Sequence, residues 1–224
     1  MSEARRVVVA VDGPSGSGKS SVSRAAAREL GFDYLDTGAA YRSLAWLALE
    51  RGIDMHDAGE VVALLDDFDL NLSLDPADAV VRVGGSDVSE AIRGARVSAA
   101  VSSVARVAAV REWLNEGFRS LMERGDSDAP RPGVITEGRD ITTIVAPDAD
   151  VRVLLTAAES VRQGRRAAEL GESNVSAIVT QRDAQDMKVV DFMNPAPGVV
   201  VLDSTDLTFE ETVAALVALI NSAR

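Results

Sequence analysis

The stretch Val7-Val8-Val9-Ala10-Val11-Asp12-Gly13-Pro14-Ser15-Gly16-Ser17-Gly18-Lys19-Ser20 constrains this chain more than any other. Its opening β-branched run reads as a buried strand. The run leads into Gly13-x-x-x-x-Gly18-Lys19-Ser20, a complete G-x-x-x-x-G-K-[ST] pattern, and residues 20–30 read as a helix. Strand, glycine loop and helix in that order make a phosphate cradle. The glycines let successive N–H groups turn inward onto a phosphate chain. The helix N-terminus adds partial positive charge. Lys19 is placed for β- and γ-phosphates and the Ser20 hydroxyl for Mg²⁺. The candidate loop set is Gly13, Pro14, Ser15, Gly16, Ser17, Gly18, Lys19, Ser20 and Ser21.

The rest of the chain keeps alternating. Residues 33–36 read as a second strand, and Thr37-Gly38 opens a helix that carries Tyr41 and Arg42 and ends near Gly52. Over residues 66–93 the pattern changes. Leu70, Leu72 and Leu74 alternate, Val80, Val81 and Val83 follow, and Gly84-Gly85 makes a turn. This predicts a small antiparallel insertion. Residues 96–124 read as two helices meeting near Val107, and 126–133 as a Pro- and Asp-rich loop. A strand at 133–137 ends in Gly138-Arg139-Asp140, and another spans 151–155. Thr156-x-x-Glu159 fits a capping box opening an arginine-bearing helix, with a further helix over 175–187. A last strand at 199–202 precedes Thr208-x-x-Glu211, a second capping box that opens the C-terminal helix.

This order predicts a single α/β domain over 1–224, with a parallel sheet and helices on both faces. Ligands in such sheets bind at the carboxyl ends of strands. The Gly13 loop and the turns after Asp36 and Gly138 should therefore face one crevice.

Arg42 and Arg139 lie just beyond two of those strand ends. Arg162, Arg165 and Arg166 share one helix face by i, i+3 and i+4 spacing, and Arg182 and Asp186 are also i, i+4. One triphosphate does not need so many arginines; two phosphate groups brought together do, because both are anions. An acceptor phosphate also needs no general base. Catalysis then reduces to positioning and charge stabilisation. For Arg162, Arg165 and Arg166 the alternative is a helix salt-bridged to its own Glu159 and Glu169.

Composition sets limits. Net charge is −12, so duplex nucleic acid is a poor partner. Cysteine is absent, which excludes disulfides and thiolate metal sites. The single histidine, His56, lies in a polar connection and reads as surface. Lys19 and Lys188 are the only lysines. No run approaches the ~20 apolar residues of a membrane span. Arg5 and Arg6 precede a strand-length run, not the apolar core of a signal peptide. A cytoplasmic monomer without membrane or nucleic-acid partners is the expectation.

The chain resembles the bacterial cytidylate kinases, a branch of the nucleoside monophosphate kinase family. The matching stretches are DGPSGSGKS at 12–20, LDTGAAYR at 35–42, DVSEAIR at 87–93, EGRD at 137–140, PDADVRVLLTA at 147–157, RDAQD at 182–186 and DST at 203–205. They span nearly the whole chain in family order. The resemblance implies transfer of the γ-phosphate of ATP, with Mg²⁺, to CMP or dCMP. It implies Arg42 and Arg139 on the acceptor phosphate and Tyr41 in the acceptor site. Thr37, Ser102, Arg111 and Asp140 would line the base pocket, with Ser102 and Asp140 near the cytosine amino group. Arg182 and Asp186 would hold the ribose. Arg162 and Arg166 would act catalytically beside Lys19 and Arg139, from a lid over 157–187. Residues 66–93 would be the domain that closes on the monophosphate.

The chain departs from that pattern at Val189, where the family usually has Arg, at Thr142 for Gly and at Ala146 for Phe. Lys188 would point about 100° away from the Val189 direction on a continuing helix. Residues 187–198 match poorly. A regulatory GTPase would need Asn-Lys-x-Asp, and no Asn here precedes a Lys. A small-metabolite kinase of the shikimate or gluconate type would lack the insertion and want a carboxylate base. A non-catalytic nucleotide-binding module stays open because of Val189.

Overall fold

The computed structural model describes residues 5–126, 129–170, 187 and 194–223, without the side chains of Arg166, Glu169 and Leu170. In chain order, β1 (Val7–Asp12) and α1 (Lys19–Leu30) precede β2 (Asp33–Asp36) and α2 (Thr37–Arg51). A short α3 (Ala58–Ala63) leads to β3 (Leu70–Leu72), β4 (Val81–Val83) and β5 (Ser86–Asp87). Two helices follow, α4 (Ala95–Ala105) and α5 (Ala108–Arg124). Then come β6 (Gly133–Gly138), β7 (Val151–Thr156), α6 (Glu159–Leu170), β8 (Val200–Asp203) and the C-terminal helix (Phe209–Ser222).

The main sheet has the order β2-β6-β1-β7-β8, and every pairing is parallel. Its residues alternate between two cores. Val9 and Val11 of β1 pack with Val22, Ala26 and Ala27 of α1 and with Val213, Leu216, Val217 and Ile220 of the C-terminal helix. Ala10 faces the other side, with Leu44 and Ala48 of α2, Val101 and Val104 of α4 and Leu114 and Phe118 of α5. A strand covered on both faces has no polar side to show, which is why β1 reads as an unbroken apolar run.

The sheet β3-β4-β5 is antiparallel. Its Val81 and Val83, with Leu74, Val88 and Ile92, join the core on the α2 side. Arg24 and Arg28 of α1 each donate from Nε to Pro76 O at 2.7 Å, tying the β3–β4 connection to the main body.

Three caps set helix starts: Asp36 accepts from Ala39 N at α2, Asp57 from Gly59 N and Glu60 N at α3, and Thr208 forms a capping box with Glu211 at the C-terminal helix. The Thr156–Glu159 box does not form. Thr156 is still the last residue of β7, hydrogen-bonded to β8 in the sheet, and α6 starts only at Glu159. The Ala158 N–H bonds Thr205 Oγ1 at 2.8 Å instead. The short α3 was not legible in the sequence. The helix expected over 175–187 lies outside the described residues, apart from Met187.

Candidate phosphate-transfer site

Parallel pairing sets the strand ends side by side. Asp36 of β2 is the partner of Glu137 on β6, and Asp12 of β1 is the partner of Gly138. The three turns that follow open on one crevice of about 760 Å³, lined among others by Lys19, Ser20, Asp36, Arg42 and Arg139.

The loop after β1 meets its geometric demands. Gly18 caps α1 at φ 87°, a conformation costly for any side chain. A Cβ on Gly13 would lie 2.3 Å from Leu155 O, so only glycine passes β7 there. Unlike the three capped helices, α1 has no side-chain cap and no acidic residue in its first turn. Its leading N–H groups thus keep their capacity for an anion.

The loop carbonyls are held from outside. Arg139 Nη1 donates to Gly13 O at 3.1 Å, Arg162 Nη1 to Ser15 O at 2.9 Å and Arg165 Nη1 to Ser17 O at 3.2 Å. Lys19 Nζ reaches Pro14 O at 3.4 Å. Arg165 also donates from Nη2 to Ser204 O at 2.9 Å. Arg162 and Arg165 thus rest on the loop, and Glu159 accepts from Gln163 at 3.0 Å.

Behind the loop stands Glu137, which is buried. Its Oε1 accepts from Ser20 Oγ at 2.7 Å and from Tyr34 OH at 3.4 Å. Burial, then the neighbouring Asp36 charge, pushes its pKa up to about 7, against the pull of Lys19 and Ser20. Ser21 Oγ donates to Gly18 O at 3.1 Å.

At the end of β2, Arg42 Nη2 donates to Asp36 Oδ2 at 2.8 Å. Burial alone would raise the Asp36 pKa, but Arg42 and Arg93 outweigh it and hold the carboxylate below its usual range. Asp12, also buried, accepts from Ile141 N at 2.8 Å, Thr142 N at 2.9 Å and Thr142 Oγ1 at 2.6 Å. It thereby fixes the turn that carries Arg139 and Asp140 to the end of β1. The Thr142 hydroxyl, a departure from the resembling family, supplies one of those bonds.

Of the residues expected around a base, Tyr41, Arg111 and Asp140 lie together. Arg111 Nη2 donates to Asp140 Oδ2 at 3.1 Å. Burial pushes the Asp140 pKa up despite that arginine. Tyr41 feels both charges, and its ring centroid lies 6.2 Å from that of Phe118. Thr37 Oγ1 donates to Glu137 O at 2.8 Å, and Ser102 is half-buried on α4. These five residues do not line the 760 Å³ crevice. Two of them adjoin residues that do line it, Tyr41 next to Arg42 and Asp140 next to Arg139. Arg182, Asp186, Lys188 and Val189 lie outside the described residues, as does the side chain of Arg166.

Glu137, Asp36, Asp12 and Arg93 were present in the sequence motifs but unassigned. Register finds the three carboxylates, which end adjacent strands beside a phosphate loop, and Arg93 shows itself only by its place in the crevice.

The profile of the family described as cytidylate kinase matches residues 9–222. A cytidylate kinase of Streptomyces avermitilis is 38% identical over 222 residues, covering 97% of this chain and 94% of that protein. One from Cutibacterium acnes is 41% identical over 219 residues, 96% of each chain. One from Rhodococcus opacus is 41% identical over 223 residues, covering 96% of this chain and 95% of that one.

Proposed function

The chain belongs to the cytidylate kinase family, and on that premise we propose that it moves the γ-phosphate of MgATP onto CMP or dCMP, giving ADP and CDP or dCDP. One observation carries the reading: a complete phosphate loop and two arginines from neighbouring strand ends, Arg42 and Arg139, line the same crevice.

The α1 N-terminus and Lys19 hold the donor phosphates. Ser20 and Glu137 are hard oxygen donors whose side chains meet at 2.7 Å, and such a pair suits Mg²⁺, which completes its shell with phosphate oxygens and water. Bound there, Mg²⁺ would neutralise charge on the transferring group. Arg42 and Arg139 bind the acceptor phosphate, whose oxygen is already ionised and attacks without a base. Arg139 also touches Gly13 O, so it spans donor and acceptor sides.

The paired Asp140 and Arg111 support a cytosine reader. A carboxylate accepts from the N4 amino group, and a guanidinium donates to the ring acceptors. Uracil would set O4 against the carboxylate and leave a buried charge short of a partner, at about 1–3 kcal/mol. Assayed with MgATP across nucleoside monophosphates and sugar acids, the chain should favour CMP and dCMP over UMP at least about tenfold in kcat/KM. A preferred sugar acid would overturn CMP as the acceptor, and equal use of UMP would leave Asp140 and Arg111 as a purely structural pair.

Water must be kept from the transferring phosphate. We take residues 66–93 as a monophosphate-binding insertion and 157–187 as a lid, the two segments that would close on the crevice. Hydrogen exchange in both should slow when a bisubstrate analogue binds. Unchanged exchange would argue for a static site.

A further inference from the structure

We propose that Asp36 is a positioning residue that gathers two arginines for the acceptor phosphate: Arg42 of the core and Arg93 of the insertion. This rests on the kinase reading above. The two carboxylate oxygens of Asp36 have separate tasks. Oδ1 accepts the Ala39 N–H at 2.8 Å and caps α2. Oδ2 accepts from Arg42 Nη2 at 2.8 Å and lies 4.0 Å from Arg93 Nη2. Arg42 is mostly enclosed, whereas the Arg93 side chain is 50% exposed.

Both guanidiniums line the crevice beside Lys19 and Arg139. Two guanidiniums repel each other, and a fixed carboxylate between them relieves that repulsion. Asp36 therefore keeps them in one place before any acceptor arrives. Arg42 has donors to spare: its Nε is buried and has no hydrogen-bond partner among the described residues. A phosphate dianion carries more charge than a carboxylate and can accept from both forks. Arg93 closes the 3₁₀ turn Ala91–Arg93 that follows β5. A phosphate held by Arg93 is thus tied to the end of the insertion, where Ile92 already packs in the core.

The test uses Asp36→Asn, Arg93→Ala and the double variant of the full chain. Asparagine keeps an oxygen for the Ala39 cap and removes only the charge. CMP affinity is measured by calorimetry without ATP, and KM for CMP and for ATP in a coupled assay. Each single variant should weaken CMP about tenfold and leave KM for ATP unchanged. The double variant should be no more than about threefold weaker than Asp36→Asn, because Arg93 has then already lost its anchor. An Arg93→Ala protein that binds CMP as well as the parent overturns the inference. So does a double variant whose losses multiply, or an Asp36→Asn protein that loses only thermal stability. If the parent binds CMP but transfers no phosphate to it, the kinase reading fails, and the calorimetry still decides on Asp36.

Discussion

Lys19→Ala should cut turnover at saturating ATP and CMP roughly a thousandfold, about 4 kcal/mol of lost transition-state stabilisation. The size of the loss reflects where charge grows. As the γ-phosphoryl group passes between two oxygens, negative charge spreads over its outer oxygens, and a fixed cation beside them becomes more valuable than in the ground state. KM for ATP should rise less than kcat falls. The fold should survive, since Lys19 lines the open crevice and is not part of either apolar core. Removing the lysine also removes a charge that favours ionised Glu137, so the loss extends to the metal side. Thermal unfolding and steady-state kinetics of the same preparation test this. Turnover within tenfold of the parent, from a folded variant, would remove the loop from the chemistry.

The second large effect is expected at Glu137. Glu137→Gln keeps the size of the side chain and an oxygen for Ser20 Oγ but takes away the charge. Activity at limiting Mg²⁺ should drop about a hundredfold, the scale seen when a group supporting a metal is lost. The deficit should narrow as Mg²⁺ is raised. Stability should not suffer, because burial already disfavours this carboxylate and the amide has no charge to desolvate. A Mg²⁺ dependence identical to that of the parent would make Glu137 a structural group only.

Much of this was legible in the chain before folding. The loop from Gly13 to Ser20, the break between α4 and α5 near Val107 and the Thr208 capping box are written in local residue types, and local geometry obeys them. The parallel sheet and the convergence of three turns followed from alternation and the carboxyl-end rule, whereas the strand order came only with the structure. The Thr156–Glu159 box misled because sheet pairing with Asp203 outranks a cap: a strand hydrogen-bonded on its flank is not free to become a helix start. Glu137 and Asp36 were hidden for another reason. Their nearness comes from β2–β6 register, which joins residues about a hundred positions apart, and no window of sequence contains both. The arginines of α6 were read as phosphate ligands, and no pattern could have told that Arg162 and Arg165 would lie on loop carbonyls.

That last arrangement has a consequence for affinity. A glycine-rich loop left to itself samples many conformations, and a peptide unit that flips would aim its carbonyl, not its N–H, at an incoming phosphate. Here the carbonyls of Gly13, Pro14, Ser15 and Ser17 each accept from a cationic side chain, so a flip must break a charge-assisted bond first. The loop is preorganised by its own arginines and lysine. Its loss of conformational entropy is taken when the chain folds, and a nucleotide arriving later meets a shape it does not have to impose.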